Sequence, residues 1–160
     1  MSKIGYFLAV KPEQGDELVN DPTAVADFLD EAVDDQDELG ADFLDVDKSW
    51  HGIHFLLTGA ATGGEAPLAW VVIAPAEIGD GLARLLAPDD VIAVSKALAP
   101  IAADKLKRKC DWAVMNEHEI YPQGWQTGDE EYIAENFTAL KKLYESAARR
   151  RMAVVQWISG

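Results

Sequence analysis

His51 and His54 stand three residues apart in Asp47 to Gly59, DKSWHGIHFLLTG, an apolar run that also carries Trp50. On a helix, that spacing puts both imidazoles on one surface, where a metal site or an acid–base pair could start. On a strand they would point to opposite faces and share nothing. Zinc would need a third and usually a fourth ligand, and the further candidates are Cys110 and His118 with its neighbours Glu117 and Glu119. Neither an HExxH run nor a paired-cysteine spacing occurs, so no metal and no cofactor is expected. Cys110 follows Lys109, whose charge would favour the thiolate, but a lone cysteine at a helix end reads more simply as a small core residue.

A second group of chemically capable residues lies at Glu117-His118-Glu119-Ile120-Tyr121-Pro122, with Trp125 just beyond. A pocket gathering Trp50, His51, His54, Glu119, Tyr121 and Trp125 could hold a small polar ligand, or do the acid–base work of a hydrolase. The plainer reading is a loop anchored by aromatic packing. Three other motifs fail on their own terms. Asp35-x-Asp37-x-Leu39-Gly40 opens like a calcium loop, but Leu39 takes a ligand position and Val46 stands where a bidentate glutamate belongs. Thr62-Gly63-Gly64 lacks the lysine and hydroxyl of a phosphate loop, and no serine sits in a nucleophile elbow. With no complete catalytic set, an enzyme is the less favoured class.

Charge is the strongest compositional signal. The 160 residues carry a formal net charge of −14. Residues 1–50 hold fourteen carboxylates against three lysines, whereas residues 101–160 hold nine acids and nine bases. Asp27 to Asp47 contains ten carboxylates and no base. Such a field repels phosphate backbones, which excludes nucleic acid as a general ligand, and it draws cationic partners inward. The face carrying Asp27, Asp30, Glu31, Asp34, Asp35, Asp37 and Glu38 is either a solvated surface that keeps the protein soluble or the contact for a basic protein partner.

The elements that must position these residues are legible in outline. Lys3 to Val10 reads as a strand stopped by Lys11-Pro12. Asp21-Pro22 reads as a helix start, followed by the stripe Val25, Phe28, Leu29, Ala32 and Val33, with the helix ending near residues 35–40. The His51/His54 segment is apolar nearly all round and predicts a buried helix capped by Gly59, with His54 as its one polar group reaching a pocket. Ala60 to Ala66 is a loop, and Pro67 to Ile73 is ambiguous between helix and buried strand. Pro88 opens a helix that Pro100 breaks before a second, basic piece ending at Lys109. Thr127 to Glu130 has capping-box spacing. It leads into a helix striped by Ile133, Phe137, Leu140, Tyr144 and Ala147, and Ala153 to Ile158 closes the chain as a strand, an exposed edge strand if it serves an oligomer. The class is therefore α+β, a small mixed sheet packed with several helices in a single domain over residues 1–160. An eight-residue apolar stretch near the start is too short to span a membrane and has no cleavage signature, and one cysteine excludes an intrachain disulfide. The cytoplasm is the expected location.

Several separated pieces share one further property. IGYF at the start, LDVDKSWHGIHFLLTG, the later EIYP with Trp125, and the closing helix-to-strand passage together resemble the YfbM-like family of small bacterial proteins. The positions that match are Trp50, His54, Thr58, Gly59, Tyr121 and Pro122. The glycine-rich turn usual in the middle of that family is represented only by Glu77-Ile78-Gly79-Asp80-Gly81. The resemblance implies an α+β fold and a bacterial cytosolic protein. It implies no activity, because the family is a domain of unknown function, and so it assigns no catalytic residue.

Overall fold

A computed structural model describes residues 2–160. The strands are β1 (Gly5–Val10), β2 (Phe43–Asp45), β3 (Ala76–Ile78), β4 (Ala83–Leu86) and β5 (Ala153–Ile158). They form one sheet in the order β2-β1-β5-β4-β3. The helices are α1 (Pro12–Asn20), α2 (Val25–Asp34), α3 (Gln36–Leu39), α4 (Trp50–Thr58), α5 (Pro88–Leu98), α6 (Ala103–Lys109), α7 (Trp112–Glu117) and α8 (Asp129–Arg149). The class is α+β, as the sequence implies. Every pairing is antiparallel, however, where a mixed sheet was expected.

Strand alternation gives the sheet two apolar faces. Phe7 and Ala9 of β1, Leu86 of β4 and Val154 of β5 join the larger core, built with α4 to α8. Leu8, Val10, Val155 and Trp157 point the other way and join Leu18 of α1 and Val25, Leu29 and Ala32 of α2. The sheet is thus covered on both sides, by the small α1–α2 layer and by the large layer around α8. The α8 stripe is buried as its spacing predicts, with Ile133, Phe137, Leu140, Tyr144 and Ala147 all inside.

Four expectations need correction. The closing strand is not an edge: β5 pairs with β1 on one side and β4 on the other, so its backbone groups are already taken and it offers no exposed edge to a second chain. Pro12 does not merely stop β1; it occupies the first position of α1, where its missing N–H is no loss. Thr127 caps nothing. The carboxylates of Asp129 and Glu130 reach back to the backbone N–H groups of Gln126 and Gly128, and α8 starts at Asp129. The helix after Asp21 begins as a 3₁₀ turn, Pro22–Ala24, with the Asp21 side chain accepting from the Thr23 N–H before α2 proper starts at Val25. Among the described residues no helix is long and apolar enough to cross a membrane.

Candidate functional site

The Asp47–Gly59 run folds as a 3₁₀ turn, Asp47–Ser49, leading into α4, and ends at Gly59 in the left-handed region at φ 77°. Ile53, His54, Leu56 and Leu57 are buried. Trp50, at the first turn, lies against β1 where Gly5 makes room: a Cβ on Gly5 would stand 2.9 Å from the Trp50 Cβ. The indole N–H donates to the Lys3 carbonyl at 2.9 Å. The Trp50 ring stacks with His51 at 5.1 Å between centroids and with Tyr121 at 5.6 Å. Tyr121 in turn accepts the Lys3 backbone N–H on its hydroxyl at 2.8 Å. Three of the anticipated residues therefore do meet, in an aromatic knot that ties α4 to the start of β1 and to the loop after α7.

His51 is the polar pin of that knot. Its Nδ1 accepts the Tyr121 backbone N–H at 2.8 Å, so the ring proton belongs on Nε2, which donates to the Ala61 carbonyl at 2.8 Å. Both nitrogens are spent on backbone, and the neutral tautomer is dictated by its partners. Burial pushes its pKa below the usual histidine value, partly opposed by the Ala61 carbonyl, and Lys3 lowers it further. A ring in this state has no free nitrogen to bind a ligand or move a proton.

His54 behaves in the opposite way. It is 1% exposed, and neither ring nitrogen has a hydrogen-bond partner. Burial lowers its pKa, the Gly63 backbone lies near enough to oppose that, and His51 adds a small further lowering. The expectation that His54 reaches a pocket is not met, and it is His51 that makes the polar contacts. Glu119 is exposed, in a left-handed turn at φ 56°, so it and the sealed His54 share no water-accessible cleft. Trp125 is buried, its indole N–H on the Ile120 carbonyl, its backbone clamped both ways by the Asn116 amide and its ring stacked on Trp112. The plainer reading of that loop, aromatic anchoring, describes what is seen. Among the described residues, no group of three or more His, Cys, Asp and Glu side chains gathers as a metal site would require. Burial raises the Cys110 thiol to about 11, so Lys109 does not make it a thiolate nucleophile near neutral pH.

Asn116 and Gln156 were missed, because nothing local marks them. Gln156 lies on β5, 2% exposed, within the larger core. Its oxygen accepts the Ala74 N–H at 2.7 Å, and its amide nitrogen faces the Trp70 carbonyl at 2.7 Å and the Tyr144 hydroxyl at 2.9 Å. Tyr144 donates to the Val71 carbonyl at 2.6 Å. This network fastens residues 70–74 onto the sheet, and Pro67 to Ile73, expected as helix or buried strand, is neither apart from a 3₁₀ turn at Leu68–Trp70. A cleft of about 250 Å³ opens beside it, between Trp50, Ile73, Leu82, Arg84 and Ile158. Arg84 is already committed there to the Ala74 carbonyl and to Glu77.

The acidic segment divides cleanly. Its last three carboxylates are engaged: Asp42 pairs with Arg150, the residue just after α8, Asp45 accepts the Asp47 backbone N–H at 2.7 Å, and Asp47 accepts the Tyr132 hydroxyl at 2.6 Å. The other seven, Asp27, Asp30, Glu31, Asp34, Asp35, Asp37 and Glu38, lie on α2, α3 and the single residue between them. All are exposed, and among the described residues none of their carboxylates has an ion-pair or hydrogen-bond partner. An antiparallel sheet with helices on both faces, and an outer α1–α3 layer free of bases, define a small α+β domain that carries an exposed anionic face.

Comparison with known proteins places that domain in a family. The family model described as a domain of unknown function, DUF1877, matches residues 1–157, and the chain belongs to this YfbM-like family. It is 28% identical over 128 residues to protein YfbM of Escherichia coli strain K12, an alignment covering 76% of this chain and 74% of that relative. The crystal structure of YfbM from Escherichia coli, a protein of unknown function, has the same fold. The TM-score is 0.64 at 22% identity, over 98% of this chain and 99% of that one.

Proposed function

We propose that this is a non-catalytic protein-interaction domain of the bacterial cytoplasm, whose acidic α2–α3 face binds a basic surface on another protein, as an antidote to a cationic toxin would. The observation that carries this reading is the contrast within one segment. Seven carboxylates along α2 and α3 remain exposed and, among the described residues, unpaired, while the three that follow them are tied into the fold. Holding like charges together raises self-repulsion, a cost that a cationic partner would relieve. The same field would speed encounter with such a partner and make binding depend steeply on salt. The histidines weaken the competing reading of a ligand or hydrolase pocket, since His51 is spent on backbone and His54 is sealed.

The test is capture from the native bacterial lysate at low salt, with release by rising salt, using wild type beside a variant in which Asp27, Asp30, Glu31 and Asp34 become the matching amides. The reading expects a basic protein that elutes with salt and is not held by the variant. A partner retained equally by both proteins, or none released by salt, would end it.

A further inference from the structure

The seven free carboxylates are not equivalent, because the fold cuts a groove beside only some of them. α1 and α2 both send residues into the smaller core, Leu18 from one and Val25, Leu29 and Ala32 from the other, and the 3₁₀ turn at Pro22–Ala24 joins them. Between them runs an open trough of about 640 Å³, with Leu18 and Phe28 among its lining residues and Glu17, Asp21, Asp27 and Glu31 along it. A smaller hollow of about 190 Å³ shares Phe28 and Glu31 and extends it to Asp35. Leu18 is buried, whereas Phe28 remains partly open. Glu17, Asp27 and Glu31 have no side-chain partner among the described residues, and Asp21 spends one oxygen on Thr23. Asp30, Asp34, Asp37 and Glu38 do not line the trough.

We propose that the α1–α2 groove seats a basic amphipathic segment of a partner protein, one apolar side chain against Phe28 and Leu18, with lysines or arginines on either side reaching Glu17, Asp21, Asp27 and Glu31. This rests on the interaction reading above and deepens it by naming the seat. Charge complementarity selects the occupant. A purely hydrophilic polycation would neutralise the rim and leave the Phe28 face wet, and an apolar segment without bases would leave the carboxylates unpaired as water is displaced. A segment alternating bases with an apolar anchor satisfies both requirements, and the long aliphatic stems of lysine and arginine cover the remaining apolar wall. Seated anchors carry most of the affinity in such interfaces, while exposed charges outside the contact mainly change the rate of encounter.

Two double variants with the same change of net charge make the test. Glu17→Lys with Glu31→Lys alters the groove; Asp30→Lys with Asp34→Lys alters the surface outside it. The probe is a synthetic helical peptide with a leucine and phenylalanine stripe flanked by lysine and arginine, titrated into ¹⁵N-labelled protein at low salt beside spermine and a sequence-scrambled peptide. The proposal expects amide shifts concentrated in residues 14–35. It also expects at least about tenfold weaker peptide binding in the groove variant against less than about threefold in the outer variant. Phe28→Ser, kept in the comparison only if its circular dichroism is native, should weaken the peptide but not spermine. Equal weakening in both double variants would overturn the groove while leaving the acidic face as a diffuse attractor. Spermine or the scrambled peptide binding as tightly as the amphipathic one would overturn it too, and no peptide binding at all would sink the seat. Concentration-dependent self-association abolished by the groove variant would hand the groove to a second copy of this chain, whose Lys105–Lys109 run is itself basic, and would likewise overturn the proposal.

Discussion

On the α8 side of the sheet, the polar groups that enter the interior are paired off, with the exception of His54. Gln156 alone serves a backbone N–H, a carbonyl and a tyrosine hydroxyl, and His51 spends both nitrogens on backbone from two different loops. On the α1–α2 side the interior is almost wholly apolar, and the polar groups stand outside it, anionic and without partners. The difference separates two uses of polarity. Inside, hydrogen bonds to irregular segments make one arrangement of loops far better than its alternatives, because a buried group left unpaired costs more than a made bond returns. Outside, charge contributes little to the fold and remains free to meet something else.

The sharpest way to break that contrast is at Gln156. Gln156→Leu keeps the volume but orphans the Ala74 N–H and removes the donor to the Trp70 carbonyl, so a loss of about 2–4 kcal/mol is expected in urea unfolding. A loss below about 1 kcal/mol would mean that the 70–74 segment is held by packing alone.

The two histidines test the same principle in opposite directions. His51→Leu removes partners from the Tyr121 N–H and the Ala61 carbonyl and should cost about 1–2 kcal/mol. His54→Leu removes a buried ring with no partner and should be neutral or stabilising by up to about 1 kcal/mol. Both folded pKa values lie below the unfolded one, near 6.5. The stability each neutral ring contributes is therefore complete above about pH 6.5 and is lost as pH falls through the lower folded value. Unfolding midpoints of wild type should drop on acidification from pH 7 to pH 5, and His54→Leu should flatten that dependence. An unchanged slope in the variant would assign the acid loss elsewhere.

How far these features were legible depends on where their partners lie. The α2, α5 and α8 stripes and the burial of α4 follow from periodicity, which the chain carries locally. β2 and β3, three residues each, and β4, four, are too short to show a period, and their pairing with distant strands makes them. α1 was hidden because Pro12 and Gly15 resemble breakers. In the fold Pro12 sits where a helix accepts it, and Gly15 is buried where a Cβ would touch Ala153 and Leu85. Missing α1 also hid Glu17 and the groove. The histidine spacing correctly placed both rings on one helix. It could not say which would be used, because the partners of His51 are backbone atoms ten and seventy residues away.

The smallest expected effect lies on the acidic face, and there the sign carries the information. If the α2–α3 carboxylates are surplus to the fold, Asp30→Asn with Asp34→Asn should change stability by no more than about 0.5 kcal/mol, and toward greater stability, since removing like charges relieves repulsion. Raising salt from about 0.05 to 0.5 M should stabilise wild type and do so less in the variant, because screening then has less repulsion to remove. The contrasting control is Asp42→Asn, which leaves Arg150 without its partner: it removes the same kind of charge from the same acidic segment but should destabilise. If Asp30 and Asp34 prove as costly to neutralise as Asp42, the outer carboxylates belong to the fold, and the distinction between spent and unspent charge on which the interaction reading rests is lost.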